Sequence, residues 1–243
     1  MMPFAKRCGK EILRDPINLA FGLGFPLVLL CLLSLLQANI PVDLFEIHRL
    51  APGIAVFGLS FLTMFSATLI ARDRESAFLQ RLYTTPLKAS DFILGYMLPM
   101  LPIALGQAAV CYGFAMLLGL TASIHMVYAI LGILPMAIFN VSLGLLFGSM
   151  LGVKQVGGLC GGLLTNVSAW LSGAWFDLSL AGGIFEKIAN ALPFVHAVEM
   201  ERALLAGDID QAAWHLLPVC LYSAGTLVLA ICCFLRKMKK QYG

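Results

Sequence analysis

The sequence predicts an all-α, polytopic membrane protein with six transmembrane helices, an N-terminal interfacial helix and short re-entrant outer helices before the last span. Three observations carry that prediction. Hydrophobic residues make up 60% of the 243 and charged residues 12%, with a mean hydropathy of +0.90. That is about half the charge a water-facing surface normally carries, so a soluble enzyme and a disordered chain are both excluded. Stretches near 20 residues long recur without a single Asp, Glu, Lys or Arg, the length needed to cross about 30 Å of hydrocarbon. Finally, the 16 basic residues fall almost entirely on alternate connections.

The chain reads as one transmembrane domain over residues 1–243, beginning with an interfacial helix at 1–16. Phe4, Cys8, Ile12 and Leu13 recur at helical spacing and are expected to face lipid, while Lys6, Arg7, Lys10, Glu11 and Arg14 face water. The apolar stretch that follows is too long for a signal peptide and lacks an Ala-x-Ala-like site, so it is expected to be retained.

The six uncharged stretches are 17–36, 50–71, 92–118, 126–151, 156–175 and 214–235. The third and fourth exceed the bilayer thickness and should tilt or kink at Pro99, Pro102 or Pro135. Gly144, Gly148 and Gly152 on the fourth, and Gly157, Gly158, Gly161 and Gly162 on the fifth, predict close packing of these two helices near their inner ends. Polar residues within the spans, among them Thr63, Ser66, Gln107, Asn140, Ser142, Asn166, Ser168 and Ser172, are expected mostly to hydrogen-bond between helices. Thirteen basic residues lie at the amino terminus, the second-to-third connection, Lys154 and the carboxyl tail, against three (Arg49, Lys187 and Arg202) on the other side. The positive-inside rule then places both termini on the cytoplasmic side of the membrane.

Two connections are more than loops. Residues 72–91 carry an apolar stripe of Phe78, Leu79, Leu82 and Tyr83 with Arg74, Glu75 and Arg81 on the polar side, and Pro86 ends the pattern before Ser90 and Asp91 cap the next span. This reads as a short amphipathic helix open to a cytosolic partner. Residues 176–213 hold six of the 13 acids and two apolar-faced helical patterns separated at Pro193, a candidate outer gate dipping into the membrane.

Several activities find no residues to carry them. The spans contain no Asp, Glu, Lys or Arg for a coupling ion, there is no phosphate-cradling Gly-x-x-x-x-Gly-Lys-Ser/Thr, and no His-Glu-x-x-His. The seven cysteines give neither a disulfide framework nor zinc spacing, and His196 and Glu199, one turn apart, read as a local hydrogen bond or interfacial anchor rather than a metal site. No catalytic or metal-ligating residue is assigned. The basic residues lie at span ends rather than in a groove-binding element, so no nucleic-acid partner is expected.

Arg74-Glu75, Arg81-Leu82 and Thr85-Pro86 after the second span, then Leu171-Ser172-Gly173, Asn190 to Pro193 and Glu199 to Arg202, resemble type-2 ABC transporter permeases over nearly the whole chain. Ala77 stands where members of that family often have glycine. The resemblance implies a compact exporter permease that pairs with a second copy or a related chain and with two cytosolic ATPase subunits, which bind ATP and Mg while this chain binds no cofactor. It implies ATPase coupling through Arg74, Glu75, Arg81, Leu82 and Pro86, and an outer gate at Asn190, Pro193, Glu199 and Arg202. It also implies a path between two copies along the first, second and fifth spans, for which Phe21, Phe25, Phe61, Phe65, Asn166 and Trp170 are candidates. An uncharged path suits a drug-like molecule, a lipid or a hydrophobic peptide. On residues alone an ion-coupled carrier or channel, or a non-transporting scaffold or immunity subunit, also remains open.

Overall fold

The computed structural model describes residues 2–39, 43–76, 78 and 89–242, and among these the regular elements are all helical. The amphipathic start forms α1 (Met2–Leu13). Long apolar helices follow as α2 (Ala20–Asn39), α3 (Ile47–Glu75), α4 (Asp91–Leu117) and α5 (Ile124–Met150). Next comes α6 over residues 153–171, then the short α7 (Leu178–Ala181), α8 (Gly183–Ala191) and α9 (Pro193–Ala206), and the closing α10 (Ile209–Tyr242).

Five of these, α2, α3, α4, α5 and the Ile209–Lys237 part of α10, are long and apolar enough to cross a membrane. The stretch expected to be the fifth of six spans is α6, which is three abutting pieces: Val153–Val156, a π-helical segment Gly157–Leu164, and Thr165–Leu171. Its glycines, Lys154, Gln155 and Asn166 keep its hydropathy below that of the others.

Prolines shape the long helices as their missing N–H requires. α4 is interrupted at Leu98–Pro99 and α5 at Ile133, just before Pro135, whereas Pro102 sits in the first turn after an interruption and adds no break. A second π segment, Ala20–Gly24, opens α2 immediately before Pro26. Pro26 offers no N–H to the Gly22 carbonyl, and a widened turn relieves its ring of the clash with that carbonyl. Gly207 adopts φ +83°, the left-handed conformation that stops α9, and the Asp208 carboxylate then accepts from the Gln211 N–H at 3.0 Å to start α10.

α3 is the central helix, with 89% of its apolar stretch buried against 17% for α2 and for α10. The glycine stripes explain how, and they correct the expected pairing. Gly144 and Gly148 of α5 face α3, not α6: a Cβ at Gly148 would lie 2.6 Å from the Ala67 carbonyl oxygen, and one at Gly144 would strike Ser66 and the Thr63 carbonyl. Gly161 of α6 likewise faces Met64 of α3, while Gly157, Gly158 and Gly162 have open space. Gly144 and Gly148 of α5 and Gly161 of α6 therefore let their helices approach α3 rather than each other.

Polar residues in the spans also divide differently from expectation. Thr63 donates to the Asn140 side chain and carbonyl, both at 3.0 Å, and Gln107 to the Ala55 carbonyl at 3.2 Å, joining α3 to α5 and α4. Ser66, Ser142, Ser168, Ser172, Thr165 and Asn166 instead donate to carbonyls of their own helix. A hydroxyl that finds no facing acceptor can always reach back to the preceding turn.

α1 packs on protein where lipid was expected. Phe4 meets Tyr96 edge-on at 5.0 Å and Phe92 at 6.1 Å, in space that only Gly95 leaves open, and Cys8 and Ile12 are buried with it, while Leu13 stays exposed.

Candidate functional site

A cleft of about 520 Å³ opens between α2, α3 and α6, and it is bordered by Phe21, Phe25, Phe61 and Asn166 from the sequence-selected set. Sequence reasoning missed Phe57 and Trp175, which complete its aromatic wall. Their rings lie 4.7 Å apart, with Phe57 to Phe61 and Phe25 to Phe61 both at 5.9 Å. The Trp175 indole is fixed by donating to the Ala169 carbonyl at 3.0 Å. Phe65 does not border the cleft but is buried, its ring over Gly22. Trp170 is outside it too, exposed and edge-on to Phe176 at 5.9 Å.

Among the described residues both π-helical segments border this one cleft, Ala20–Gly24 through Phe21 and Gly157–Leu164 through Gly157 and Gly161. Widened turns of this kind gather at functional sites because they re-aim side chains without ending the helix. Asn166 and Thr165 support the second one, donating to the Gly162 carbonyl at 2.8 Å and the Cys160 carbonyl at 2.9 Å.

At the end of the bundle rich in basic residues, the coupling candidates Arg74 and Glu75 lie together at the turn from α5 to α6. Arg74 donates to the Gly148 carbonyl at 2.8 Å and the Leu151 carbonyl at 3.2 Å, and Lys237 of α10 donates to the Met150 carbonyl at 2.8 Å. These cations satisfy the last carbonyls of α5 where its dipole is negative. The Glu75 carboxylate accepts from the Val153 N–H at 3.0 Å, doing the same for the positive start of α6. Arg81, Leu82 and Pro86 lie outside the described residues, as does most of the apolar stripe of residues 72–91.

Immediately before Arg74 lies a group the sequence reading passed over. Asp73 is buried, accepts two hydrogen bonds from Arg7 of α1 at 2.8 and 3.0 Å, and a third from the Tyr96 hydroxyl of α4 at 2.8 Å. Arg7 also bonds Glu11 and stacks over Phe78 at 3.8 Å. Burial opposes its charge, but the hydrogen bonds and the charge of Asp73 outweigh burial and raise its proton affinity above the ordinary value. Burial, with Asp73 close by, pushes the Cys8 thiol up to about 12, so it is inert near neutral pH. The available signal was an acid at the very edge of an uncharged stretch with an arginine on the preceding amphipathic helix.

At the opposite, acidic end Arg202 ties three elements together. It donates to Glu199 at 2.6 Å, to the Arg49 carbonyl of α3 at 3.1 Å and to the Gly173 carbonyl after α6 at 3.1 Å. Pro193 occupies the first turn of α9, where its missing N–H costs nothing. The Asn190 carbonyl faces His196 Nε2 at 3.0 Å, and His196 meets His215 of α10 at 3.0 Å between their Nδ1 atoms. His196 thus has a local partner in the Asn190 carbonyl and a second one in His215 of α10, neither of them Glu199. Asn190, Glu199 and Arg202 border a polar vestibule of about 640 Å³, and Trp175 belongs to both this vestibule and the aromatic cleft. Nearby, the fully buried Glu201 accepts from the Tyr112 hydroxyl at 2.9 Å with its other oxygen unpartnered among the described residues. Burial raises the Glu201 carboxyl to about 8, against the opposing hydrogen bond from Tyr112, so it is protonated at neutral pH.

Among the described residues no cluster of His, Cys, Asp and Glu could hold a metal ion. Comparison with curated proteins finds no match. A family model described as ABC-2 type transporter matches residues 4–205, which include most of α1, the whole cleft, the Asp73 cluster and all of α9 but its last residue. With that match over most of its length, the chain belongs to the ABC-2 type transporter family, as a transporter permease subunit that crosses the membrane several times.

Proposed function

We propose that this chain is the membrane-spanning permease of an ATP-driven exporter, moving a lipophilic or amphiphilic substrate across the cytoplasmic membrane by alternating access. Two copies, or this chain and a relative, work with two cytosolic ATPase subunits that bind ATP and Mg. The observation that carries the reading is the uncharged aromatic cleft bordered by both π segments. In this reading α6 crosses the membrane as a sixth span, the basic end is cytoplasmic with both termini, and α1 lies at the inner interface.

The connections at the basic end supply a route for force. Residues 72–91 receive the push of the ATPase, with Arg81, Leu82 and Pro86 in the segment that is pressed. Asp73 links that movement to α1 and α4, and Arg74 and Glu75 link it to the turn between α5 and α6. α3 and α6, two walls of the cleft, therefore shift as a unit relative to α2, whose flexible element is its π segment. At the far end Arg202 holds α3, α6 and α9 in one arrangement, and its release opens the outer gate at Asn190, Pro193 and Glu199. Two discrete packings biased by ATP on a partner are all that alternating access needs.

The test is purification of the chain co-expressed with candidate ATPase subunits, with ATP hydrolysis measured in lipid. A stable complex whose ligand-stimulated hydrolysis falls in the Glu75→Gln/Arg81→Ala double variant is the expected result. A folded chain that joins no ATPase, or that moves ligand in vesicles without ATP on an ion gradient, overturns it.

A further inference from the structure

We propose that the cargo is a lipophilic cation, a bulky aromatic body bearing one positive charge, which sits in the α2–α3–α6 cleft and leaves through the acidic vestibule. This deepens the permease reading and rests on it. The cleft wall is not merely apolar. Phe21, Phe25, Phe57, Phe61 and Trp175 are all aromatic, and the cleft lining contains no charged side chain. An alkyl chain is accommodated as well by leucine as by phenylalanine, whereas the negative face of an aromatic ring adds attraction for a cation and for the positive edge of an aromatic ligand, and the acidic exit favours the two combined in one molecule. A small, hard ion would lose its hydration there without compensation, so the charge must be carried on a large apolar body.

The second observation lies along the exit. Trp175 is shared with the vestibule, where Asp43, Asp177, Glu186 and Glu199 face Arg49 and Arg202. Arg202 and Glu199 offset each other as an ion pair, and on the rest of the rim Asp43, Asp177 and Glu186 outnumber Arg49, so the rim carries net negative charge. Aromatic lining continues into it, with Phe176 of the vestibule 5.9 Å from Trp170 and 6.2 Å from Phe185. Rings first and carboxylates next form a gradient that draws a cation outward and turns an anion of equal size away.

Tetraphenylphosphonium and tetraphenylborate have the same shape and opposite charge, and they separate these possibilities. Equilibrium binding of each is measured to the full-length chain in lipid nanodiscs, with empty nanodiscs as the blank. The expected result is saturable binding of tetraphenylphosphonium only, weakened about tenfold in Phe57→Leu/Trp175→Leu and about threefold in Asp177→Asn/Glu186→Gln. Phe57→Tyr/Trp175→Phe keeps the rings and should keep binding, so a loss confined to the leucine variant is not a folding defect. Saturable binding of both ions alike, binding of the borate alone, or phosphonium binding indifferent to Phe57→Leu/Trp175→Leu overturns the proposal. So does the absence of binding because an acyl chain or a second copy fills the cleft. If neither ion binds while the chain still supports mutation-sensitive ATP hydrolysis, the cation class falls and the permease reading stands. Phosphonium binding without any ATPase complex has the reverse meaning.

Discussion

Asp73 and Glu201 are two buried acids in a chain with very few, and their surroundings give them opposite roles. Asp73 is met by a guanidinium and a phenol, so its charge is compensated in place. Removing one partner of such a pair leaves the other charge stranded, at a cost of about 3–5 kcal/mol, whereas replacing both with apolar residues is often neutral. Arg7→Ala and Asp73→Ala should each lower the thermal unfolding midpoint sharply, and Arg7→Met/Asp73→Leu should recover most of the loss. Glu201 has only the Tyr112 hydroxyl, and burial raises its carboxyl to about 8. A raised folded-state value means the folded chain holds a proton that the unfolded chain releases near its ordinary value. The stabilisation is therefore complete below about pH 4.5 and declines as pH rises toward about pH 8. Thermal stability of the wild type should fall across that window, and Glu201→Gln, which cannot ionise, should flatten the profile.

Elements meet where side chains are smallest. Gly148 lets α5 approach the Ala67 backbone of α3, and no rotamer change makes room for a larger residue against backbone atoms. Gly148→Leu should cost more than the usual 1–3 kcal/mol or so of overpacking, while Gly158→Leu, which meets open space, should be tolerated. Unfolding midpoints in matched detergent distinguish the two. The α5–α6 turn depends on charges at its helix ends rather than on packing, so Glu75→Ala should lose about 1 kcal/mol of capping. Hydrogen exchange of the Val153 amide should report it as faster local opening. That amide is the one held by Glu75 in the structure.

For the whole molecule, topology and charge asymmetry make one claim. A reporter fused at either end, or after residue 84, should be cytoplasmic, and one inserted near Asp208 should be outside. An inverted result would reverse the assignment of the cleft's exit. The membrane helices were legible in the residues because crossing a membrane is a compositional demand that length without charge marks, while lysine and arginine supply the expected side that these reporters test. The aromatic candidates Phe21, Phe25 and Phe61 were legible too, as large residues on the helices that the family resemblance singled out. Phe57, Trp175 and Asp73 were not, since a ring or an acid in an apolar stretch has no partner until another helix arrives.

The sequence by itself therefore determined that the chain is helical, crosses a membrane several times and carries no nucleotide or metal chemistry motif of its own. Hydrophobic length, charge placement and motif chemistry are local properties, readable along the chain. Only the tertiary structure decided that Gly144, Gly148 and Gly161 serve α3, that α1 docks on α4 through Phe4 and on Asp73 through Arg7, and that two π segments meet at one aromatic cleft. Those are choices between equally apolar faces. In a bilayer every such face is nearly as content with lipid as with protein, so close packing and hydrogen bonds between distant residues make the selection, not hydrophobicity.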